Sequence, residues 1–353
     1  MKRNKLLILA TLTIASLISS CKKEDRIFGI YENGAFITNE GSWGSSNASV
    51  SFFNFSTNTI ENNIFTLTNG RSIGDVLQSA YKSKDKIFFV LNGSSKIEVV
   101  NASDITEKGT IEGVNSPRYL TVANGNAYIT QWGDGGTVEV ADTSTLAITK
   151  TIDVGTGPEG ILYSNGLIWV ANGGGTAVDS TISVIDPSTN EVVKTIKVGH
   201  NPKKLVADRN GNIWALCYGY IKYKLDWSIE LETPSRLVKI SSSTQEVLKS
   251  FQISTNKHPM QLEISSNGQT IYYGGGFGYI GIFAVDISAT ALPTEPIIKQ
   301  SFYNFNVNPS NNELFCLEAT SFTDPGKLKR YSSSGKFIME YAVGIGPNGV
   351  VFQ

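Results

Sequence analysis

The sequence has few cysteines and histidines for its length. Among 353 residues there are three cysteines and two histidines, and one of the cysteines, Cys21, lies at the end of an N-terminal leader. Cys217 and Cys316 fall on equivalent predicted strands two repeats apart, beyond disulfide reach, so we expect two buried thiols. His200 and His258 each lie just before a proline, with no third ligand at metal-binding spacing. Neither a disulfide scaffold nor a histidine metal centre is indicated.

The charge is nearly balanced, with 30 basic and 31 acidic residues. Removing the leader takes three basic residues and no acids, which leaves 27 basic groups against 31 acidic groups. A weakly acidic body argues against binding to nucleic acid or to an anionic membrane surface. Catalytic signatures are missing as well: the chain has no Gly-x-Ser-x-Gly, no His-Glu-x-x-His and no P-loop. We therefore expect a protein that is not an enzyme.

Long hydrophobic runs are absent except at the N-terminus. Three basic residues precede the apolar residues 6–18, and residues 18–21 (Ile-Ser-Ser-Cys) have the form of a bacterial lipobox. The run is too short to span a membrane comfortably, so residues 1–20 are predicted to be a lipoprotein signal peptide. Cys21 is then the lipid attachment site, and residues 21–34 form a lipid-anchored tether. An ordinary secretory signal with an incidental cysteine is the alternative.

Helical periodicity is absent beyond the leader, and a strand-like phrase with an aromatic at its second position recurs seven times instead. The steps between these aromatics range from 40 to 58 residues, which suits a four-stranded propeller blade. The pattern predicts an all-β, seven-bladed β-propeller over residues 35–353. The seven copies are residues 35–38, 87–90, 127–130, 168–171, 213–216, 271–274 and 314–317.

The first repeat lacks an innermost strand, and the chain ends with one. Residues 347–352 (Pro-Asn-Gly-Val-Val-Phe) match the start of the other blades, where prolines mark the way into an innermost strand. We therefore expect the C-terminal strand to join the N-terminal blade. That pairing closes the ring and removes a free sheet edge.

In a propeller, two sets of connections share one end of the central channel, which we call the rim. They are the segments leading into the innermost strands and the connections between the second and third strands. Here these segments are rich in glycine and aromatic residues, which allow close backbone approach and supply flat apolar area. The predicted ligand-binding residues are Trp43, Asp75, Gln78, Arg118, Gln131, Trp132, Glu159, Tyr218, Tyr220, Tyr223, Trp227, Phe277 and Tyr279.

Aromatic residues clustered on one rim suggest a broad, largely uncharged ligand that is held by stacking, with amides positioning its polar edges. Packing of several rings against neighbouring loops is the alternative explanation. Asp75 and Glu159 also leave a weaker enzymatic alternative, a channel-bound cation of the kind used by propellers that hydrolyse lactones. No cofactor or metal is otherwise indicated.

Six stretches carry a resemblance to a known family. The sequence resembles the YncE-like propeller lipoproteins of Bacteroidetes, and among them it is most similar to the BtuG-type surface proteins that bind cobalamin. Residues 22–25 (Lys-Lys-Glu-Asp) also resemble the signal that sends such lipoproteins to the cell surface. The six stretches are residues 39–41, 47–53, 74–79, 116–119, 127–131 and 341–347.

The resemblance implies a surface-exposed lipoprotein of the outer membrane. Such a protein would capture cobalamin (vitamin B12), or a related corrinoid, and deliver it to a TonB-dependent transporter. Cobalamin would be the transported ligand and not a cofactor. Glycan binding, or an adhesin-like role, is the alternative function, because aromatic platforms also stack sugars. A propeller that only scaffolds protein contacts is a third alternative.

Overall fold

The computed structural model describes residues 31–353, which form thirty β-strands, one short α-helix and one 3-10 turn. The predicted signal peptide, Cys21 and most of the predicted tether lie outside the described residues, so these assignments stay predictions. No helix within residues 31–353 is long and apolar enough to cross a membrane. The described part of the chain is therefore almost entirely β-structure, as the sequence predicts.

The strands form seven four-stranded antiparallel sheets, each a blade, and one two-stranded hairpin. The first three blades contain β1 (Gly34–Asn39), β2 (Ser49–Asn54), β3 (Thr59–Glu61), then α1 (Ile64–Asn69), β4 (Leu77–Ser83), β5 (Lys86–Leu91), β6 (Lys96–Asn101), β7 (Glu107–Ile111), β8 (Pro117–Ala123), β9 (Asn126–Gln131), β10 (Thr137–Asp142) and β11 (Ile148–Asp153). Blades four and five contain β12 (Pro158–Ser164), β13 (Leu167–Asn172), β14 (Thr181–Asp186), β15 (Glu191–Lys197), β16 (Pro202–Ala207), β17 (Ile213–Cys217), the hairpin strands β18 (Tyr220–Tyr223) and β19 (Ile229–Thr233), β20 (Ser235–Ile240) and β21 (Val247–Ser254). The remaining strands are β22 (Gln261–Ile264), β23 (Thr270–Gly274), β24 (Ile280–Asp286), β25 (Ile298–Ser301), β26 (Asn304–Val307), β27 (Leu314–Glu318), β28 (Pro325–Tyr331), β29 (Phe337–Ile345) and β30 (Pro347–Phe352).

All seven aromatic phrases form the second strand of a blade, and their side chains build the core. Alternate residues of each second strand point to opposite neighbouring blades, because successive strand residues face opposite sides of the sheet. Phe36 packs with Phe89 of the second blade, whereas the next residue, Ile37, packs with Phe315 of the seventh. Trp169 and Trp214 are also almost fully buried. Burying one such side chain contributes roughly 2–3 kcal/mol.

The ring closes through the two ends of the chain, as predicted. Strand β30 pairs antiparallel with β1, with Ala35 opposite Phe352 and Ile37 opposite Val350. The innermost strands then contact one another in a complete circle, in the order β30, β4, β8, β12, β16, β22 and β26. The seven-bladed propeller that the repeats predict is therefore confirmed.

Two elements differ from the sequence expectation. The short helix α1 follows β3, and its Ile64 and Phe65 side chains are buried between the first two blades. The connection between Cys217 and Ser235, where the repeat pattern predicts no strand, forms the hairpin β18–β19. Cys217 and Cys316 are both buried free thiols, as expected.

Candidate functional site

A cavity of about 390 Å³ lies where the starts of the innermost strands meet the ends of the second strands. Register places both at one end of the channel, because Pro117 pairs with Gln131 and Pro202 with Cys217. The cavity is therefore at the predicted rim. The innermost strands, or the segments leading into them, contribute Gln78, Arg118, Glu159, Lys203, Gln261 and Asn348.

β-Bulges aim most of these side chains at the cavity. Each of β4, β8, β12 and β16 has a register shift at its start, directly beside the cavity residues. A bulge breaks the two-residue alternation of a strand and redirects a side chain. As a result the consecutive residues Arg118 and Tyr119 both line the cavity, as do Lys203 and Lys204.

Glu159 is the centre of a buried ion network. Arg118 Nε donates to Glu159 Oε2 at 3.2 Å, and Lys203 Nζ donates to Glu159 Oε1 at 3.0 Å. Burial alone would raise the pKa of this carboxyl, but the two cations lower it below its ordinary value. Burial likewise opposes the charge of Arg118, yet Glu159 raises the pKa of the guanidinium. Both groups are therefore charged across the physiological pH range.

Trp132 lies beside this network at the end of the second strand of the third blade. The guanidinium carbon of Arg118 is 4.1 Å from the ring centroid of Trp132, close enough for a cation–π interaction. The indole Nε1 is buried and has no hydrogen-bond partner in the described part of the chain. The side chain of Trp132 therefore forms part of the cavity wall, and its indole N–H lacks an acceptor.

A second polar group occupies the opposite side of the cavity. Tyr303 Oη donates to Glu40 Oε1 at 3.0 Å, and Asn348 Nδ2 donates to the same oxygen at 2.9 Å. Burial raises the pKa of Glu40, although both hydrogen bonds lower it in part. The protonated form of Glu40 is therefore more favoured than that of an exposed glutamate.

Trp43 also lines the cavity, from the connection between β1 and β2, and its side chain is 77% exposed. Asp75 holds this turn in place, because its carboxylate accepts hydrogen bonds from the backbone N–H groups of Gly44 at 2.9 Å and Ser46 at 3.4 Å. Asp75 itself does not line the cavity. The structure therefore gives Asp75 and Glu159 separate partners, and residues 31–353 contain no cluster of three or more metal-ligating side chains.

Two of the predicted residues are buried away from the cavity. Gln131 is 2% exposed, donates to Thr137 Oγ1 at 2.9 Å and accepts from the backbone N–H of Asn115 at 2.8 Å. Tyr279 is 6% exposed and packs edge-on against Phe283. The structure brings neither side chain to the cavity, because Gln131 bonds within its own blade and Tyr279 lies between blades five and six, beside Phe251.

The hairpin β18–β19 rises from the same end of the channel and carries the predicted residues Tyr220, Tyr223 and Trp227, with Tyr218 just before it. The side chain of His258 contacts the base of the hairpin on both sides of its ring. Its Nε2 lies 2.8 Å from Glu232 Oε1, and its Nδ1 is hydrogen-bonded to the backbone oxygen of Tyr218. Tyr220 packs against His200, which is bonded to Thr233 at 2.9 Å. The hairpin is therefore tied to the strands leading into blades five and six.

The tip of this hairpin exposes two aromatic rings. Tyr223 is 50% exposed and Trp227 is 81% exposed, and the two rings lie 6.3 Å apart. Neither lines the cavity. Trp227 has a φ of 65°, a left-handed conformation that favours glycine or asparagine.

Phe277 belongs to a further aromatic group on the rim. Its ring centroid is 4.9 Å from that of Tyr303 and 6.0 Å from that of Phe322, and its side chain is 69% exposed. Tyr303 lines the cavity, so this group continues the cavity wall outward. Phe277 is thus placed on the rim beside the cavity, as the sequence indicates.

Several cavity residues are missing from the sequence prediction. Compared with the thirteen predicted ligand-binding residues, they are Glu40, Val76, Asn92, Ser116, Tyr119, Lys203, Lys204, Met260, Gln261, Tyr303, Asn304 and Asn348. The two-residue alternation of a strand does not predict Tyr119 and Lys204, because the bulges place two consecutive residues on the cavity side of the strand. Tyr303 and Asn304 lie at the start of β26, which, like β4, is an innermost strand that no proline marks. Their position one repeat before Pro347 is the signal that could have located them.

The fold and this site define a class: a seven-bladed β-propeller with a polar, aromatic-edged cavity at one end of its channel. The chain belongs to the family described as "Domain of unknown function (DUF5074)", which matches residues 33–353. No curated protein is similar enough in sequence to count as a match.

Solved structures show the same fold at low sequence identity. A quinonprotein alcohol dehydrogenase-like protein from Bacteroides thetaiotaomicron is 14% identical, with a TM-score of 0.67 over 91% of this chain and 78% of that one. A proposed 6-phosphogluconolactonase from Bacteroides uniformis is 13% identical, with a TM-score of 0.67 over 91% of this chain and 100% of that one. A functionally unknown protein from Desulfotomaculum acetoxidans is 15% identical, with a TM-score of 0.66 over 91% of this chain and 99% of that one. At such identities the similarity extends to the fold alone.

Proposed function

We propose that this protein is a surface lipoprotein that binds cobalamin, or a related corrinoid, at the rim and delivers it to a TonB-dependent outer-membrane transporter. The observation that carries the proposal is the combination of an amide-lined cavity with exposed aromatic rings at the same end. Gln78, Gln261 and Asn348 supply amides, and Trp43 and Phe277 supply exposed rings. Binding, and not catalysis, is the role we assign to the cavity.

The dimensions and chemistry of the rim favour a ligand of this kind. A corrin is broad and flat and carries amide side chains around its edge, so it needs apolar area to lie on and amides to pair with. The cavity volume of about 390 Å³ is smaller than a whole corrinoid. We therefore place the corrin over the rim, against Trp43 and Phe277, with one arm of the ligand inside the cavity.

The lipoprotein and transporter parts of the proposal rest on the leader and on the family resemblance. A lipidated Cys21 would anchor the propeller to the outer membrane, and the surface signal at residues 22–25 would place it outside the cell. There, a binding protein for a scarce ligand is useful only when a transporter accepts the ligand. We therefore propose a TonB-dependent transporter as the partner.

Binding is tested by mixing the purified protein with cyanocobalamin at micromolar concentration, desalting, and measuring the corrin absorbance that elutes with the protein. Trp43→Ala is expected to weaken binding about tenfold or more, because exposed central aromatics contribute strongly to interfaces. Phe337→Ala is the matched control, since Phe337 is 50% exposed on the outer strand β29. If no colour elutes with the wild-type protein, the corrinoid proposal is wrong and a glycan array becomes the next experiment.

A further inference from the structure

The cavity contains more positive than negative side chains. Arg118, Lys203 and Lys204 are the cations, and Glu40 and Glu159 are the carboxylates. Only Glu159 has a pKa that is held below its ordinary value, whereas burial raises the pKa of Glu40. The cavity thus has an excess of at least one positive charge before any ligand is bound.

Lys204 is the cavity cation that has no ion-pair partner in the described part of the chain. Arg118 and Lys203 share the single carboxylate of Glu159, so each has an anionic partner although the three groups together keep one positive charge. The ammonium of Lys204 lies 3.9 Å from the ring centroid of Tyr119 and, within residues 31–353, forms no hydrogen bond and no ion pair within 4 Å. A partly buried ammonium without an anionic partner is costly, because it has lost part of its hydration.

Glu263, on the neighbouring blade, is a buried carboxyl whose raised pKa is lowered in part by the charge of Lys204. Its Oε1 accepts a hydrogen bond from Asn306 Nδ2 at 2.8 Å, and it makes no ion pair with Lys204 in the described part of the chain. Asn306 therefore satisfies Glu263, and the ammonium of Lys204 stays available on the cavity side.

Two further buried polar atoms of cavity residues lack partners in residues 31–353. They are the donor Trp132 Nε1 and the acceptor Asn304 Oδ1. Buried polar groups are almost always satisfied, by protein, water or ligand. Both atoms are closed to solvent, so the Lys204 ammonium, which is only partly buried, is the group through which the cavity can meet a ligand.

We propose that the cavity recognises an oxyanion, such as the phosphodiester of a larger ligand, and that the Lys204 ammonium is the cation that contacts it. The inference deepens the proposed function and rests on it only for the identity of the whole ligand. Lysine suits this role as a compact point charge for phosphate. Lys204 is then a specificity residue that favours ligands with an anionic arm over those without one.

The experiment compares wild type with Lys204→Met, Lys204→Arg and the control Lys194→Met, which removes an exposed lysine from the outer strand β15. Each protein is titrated with inorganic phosphate while tryptophan fluorescence is followed, because Trp132 lies in the cavity. Each is then titrated with cyanocobalamin and with dicyanocobinamide, a corrinoid that lacks the phosphate-bearing nucleotide arm. Thermal unfolding verifies that every variant is folded.

We expect Lys204→Met to weaken binding of phosphate and of cyanocobalamin at least tenfold, to leave dicyanocobinamide within twofold, and to be rescued by Lys204→Arg. Equal affinity of wild type and Lys204→Met for both corrinoids, with no response to phosphate, would overturn the inference and leave the proposed function standing. A Lys204-dependent response to phosphate without corrinoid binding would support the inference and remove the proposed function. If neither probe binds, both proposals are wrong.

Discussion

The side-chain amide of Asn348 donates a hydrogen bond to the backbone oxygen of Leu77 at 2.8 Å, which ties the C-terminal strand to the second blade. The same group donates to Glu40 Oε1 at 2.9 Å, and Thr38 Oγ1 donates to Asn348 Oδ1 at 2.6 Å. One side chain of β30 therefore joins three strands at the point where the ring closes and also forms part of the cavity wall.

Replacing Asn348 with Ala is expected to lower the free energy of unfolding by about 2–4 kcal/mol, because several buried partners lose a hydrogen bond at once. Chemical denaturation followed by circular dichroism measures the change. Asn210→Ala, at an exposed turn, is the matched control and should change stability by less than about 0.5 kcal/mol. Equal effects of the two substitutions would show that Asn348 does not contribute to ring closure.

The sequence predicts the ring well because the core pattern is local. Each second strand is a short, almost continuous run of buried residues with an aromatic such as Trp169 or Trp214, and this pattern does not depend on the loops. Closure is predictable for the same reason, since residues 347–352 have the pattern of an innermost strand without a following partner.

The site is predictable only in part. Prolines mark where Arg118 and Glu159 begin their strands, so these residues could be assigned to the rim from sequence. The orientation of Gln131 could not, because the last residue of β9 faces Thr137 of its own blade and not the channel. Lys204 was missed because a β-bulge, which has no sequence signature here, places it beside Lys203.

Asp75 is expected to act on the site through Trp43 and not by contact with ligand. Asp75→Ala removes the acceptor for the Gly44 and Ser46 amides, so these amides should exchange hydrogen faster while global stability falls by less than about 1 kcal/mol. Hydrogen-exchange mass spectrometry measures the effect.

The control for that experiment is Asp286→Ala, which removes a similar carboxylate that accepts from the Ser288 amide in a turn after β24. It should accelerate exchange at Ser288 and leave Gly44 unchanged. Unaltered exchange at Gly44 and Ser46 in Asp75→Ala would mean that the Trp43 turn is held by other contacts.

The last prediction concerns Glu263, whose pKa is raised to about 7, chiefly by burial, with partial opposition from Lys204. An unfolded glutamate has a pKa of about 4.3. The folded protein therefore binds this proton more tightly than the unfolded chain does. The stability that the group contributes is fully present below about pH 4.3 and is lost as the pH rises through about 7.

Glu263→Gln keeps an oxygen that accepts from Asn306 but cannot ionise. We expect its stability advantage over wild type to grow between about pH 4.5 and 7, to roughly 1–3 kcal/mol, and to stay constant above that range. Denaturation of both proteins at a series of pH values measures the difference. Glu340→Gln is the control, because Lys327 lowers the pKa of that exposed carboxyl, so any pH dependence should have the opposite sign. A stability difference between Glu263→Gln and wild type that does not vary with pH would show that Glu263 ionises normally in the folded protein.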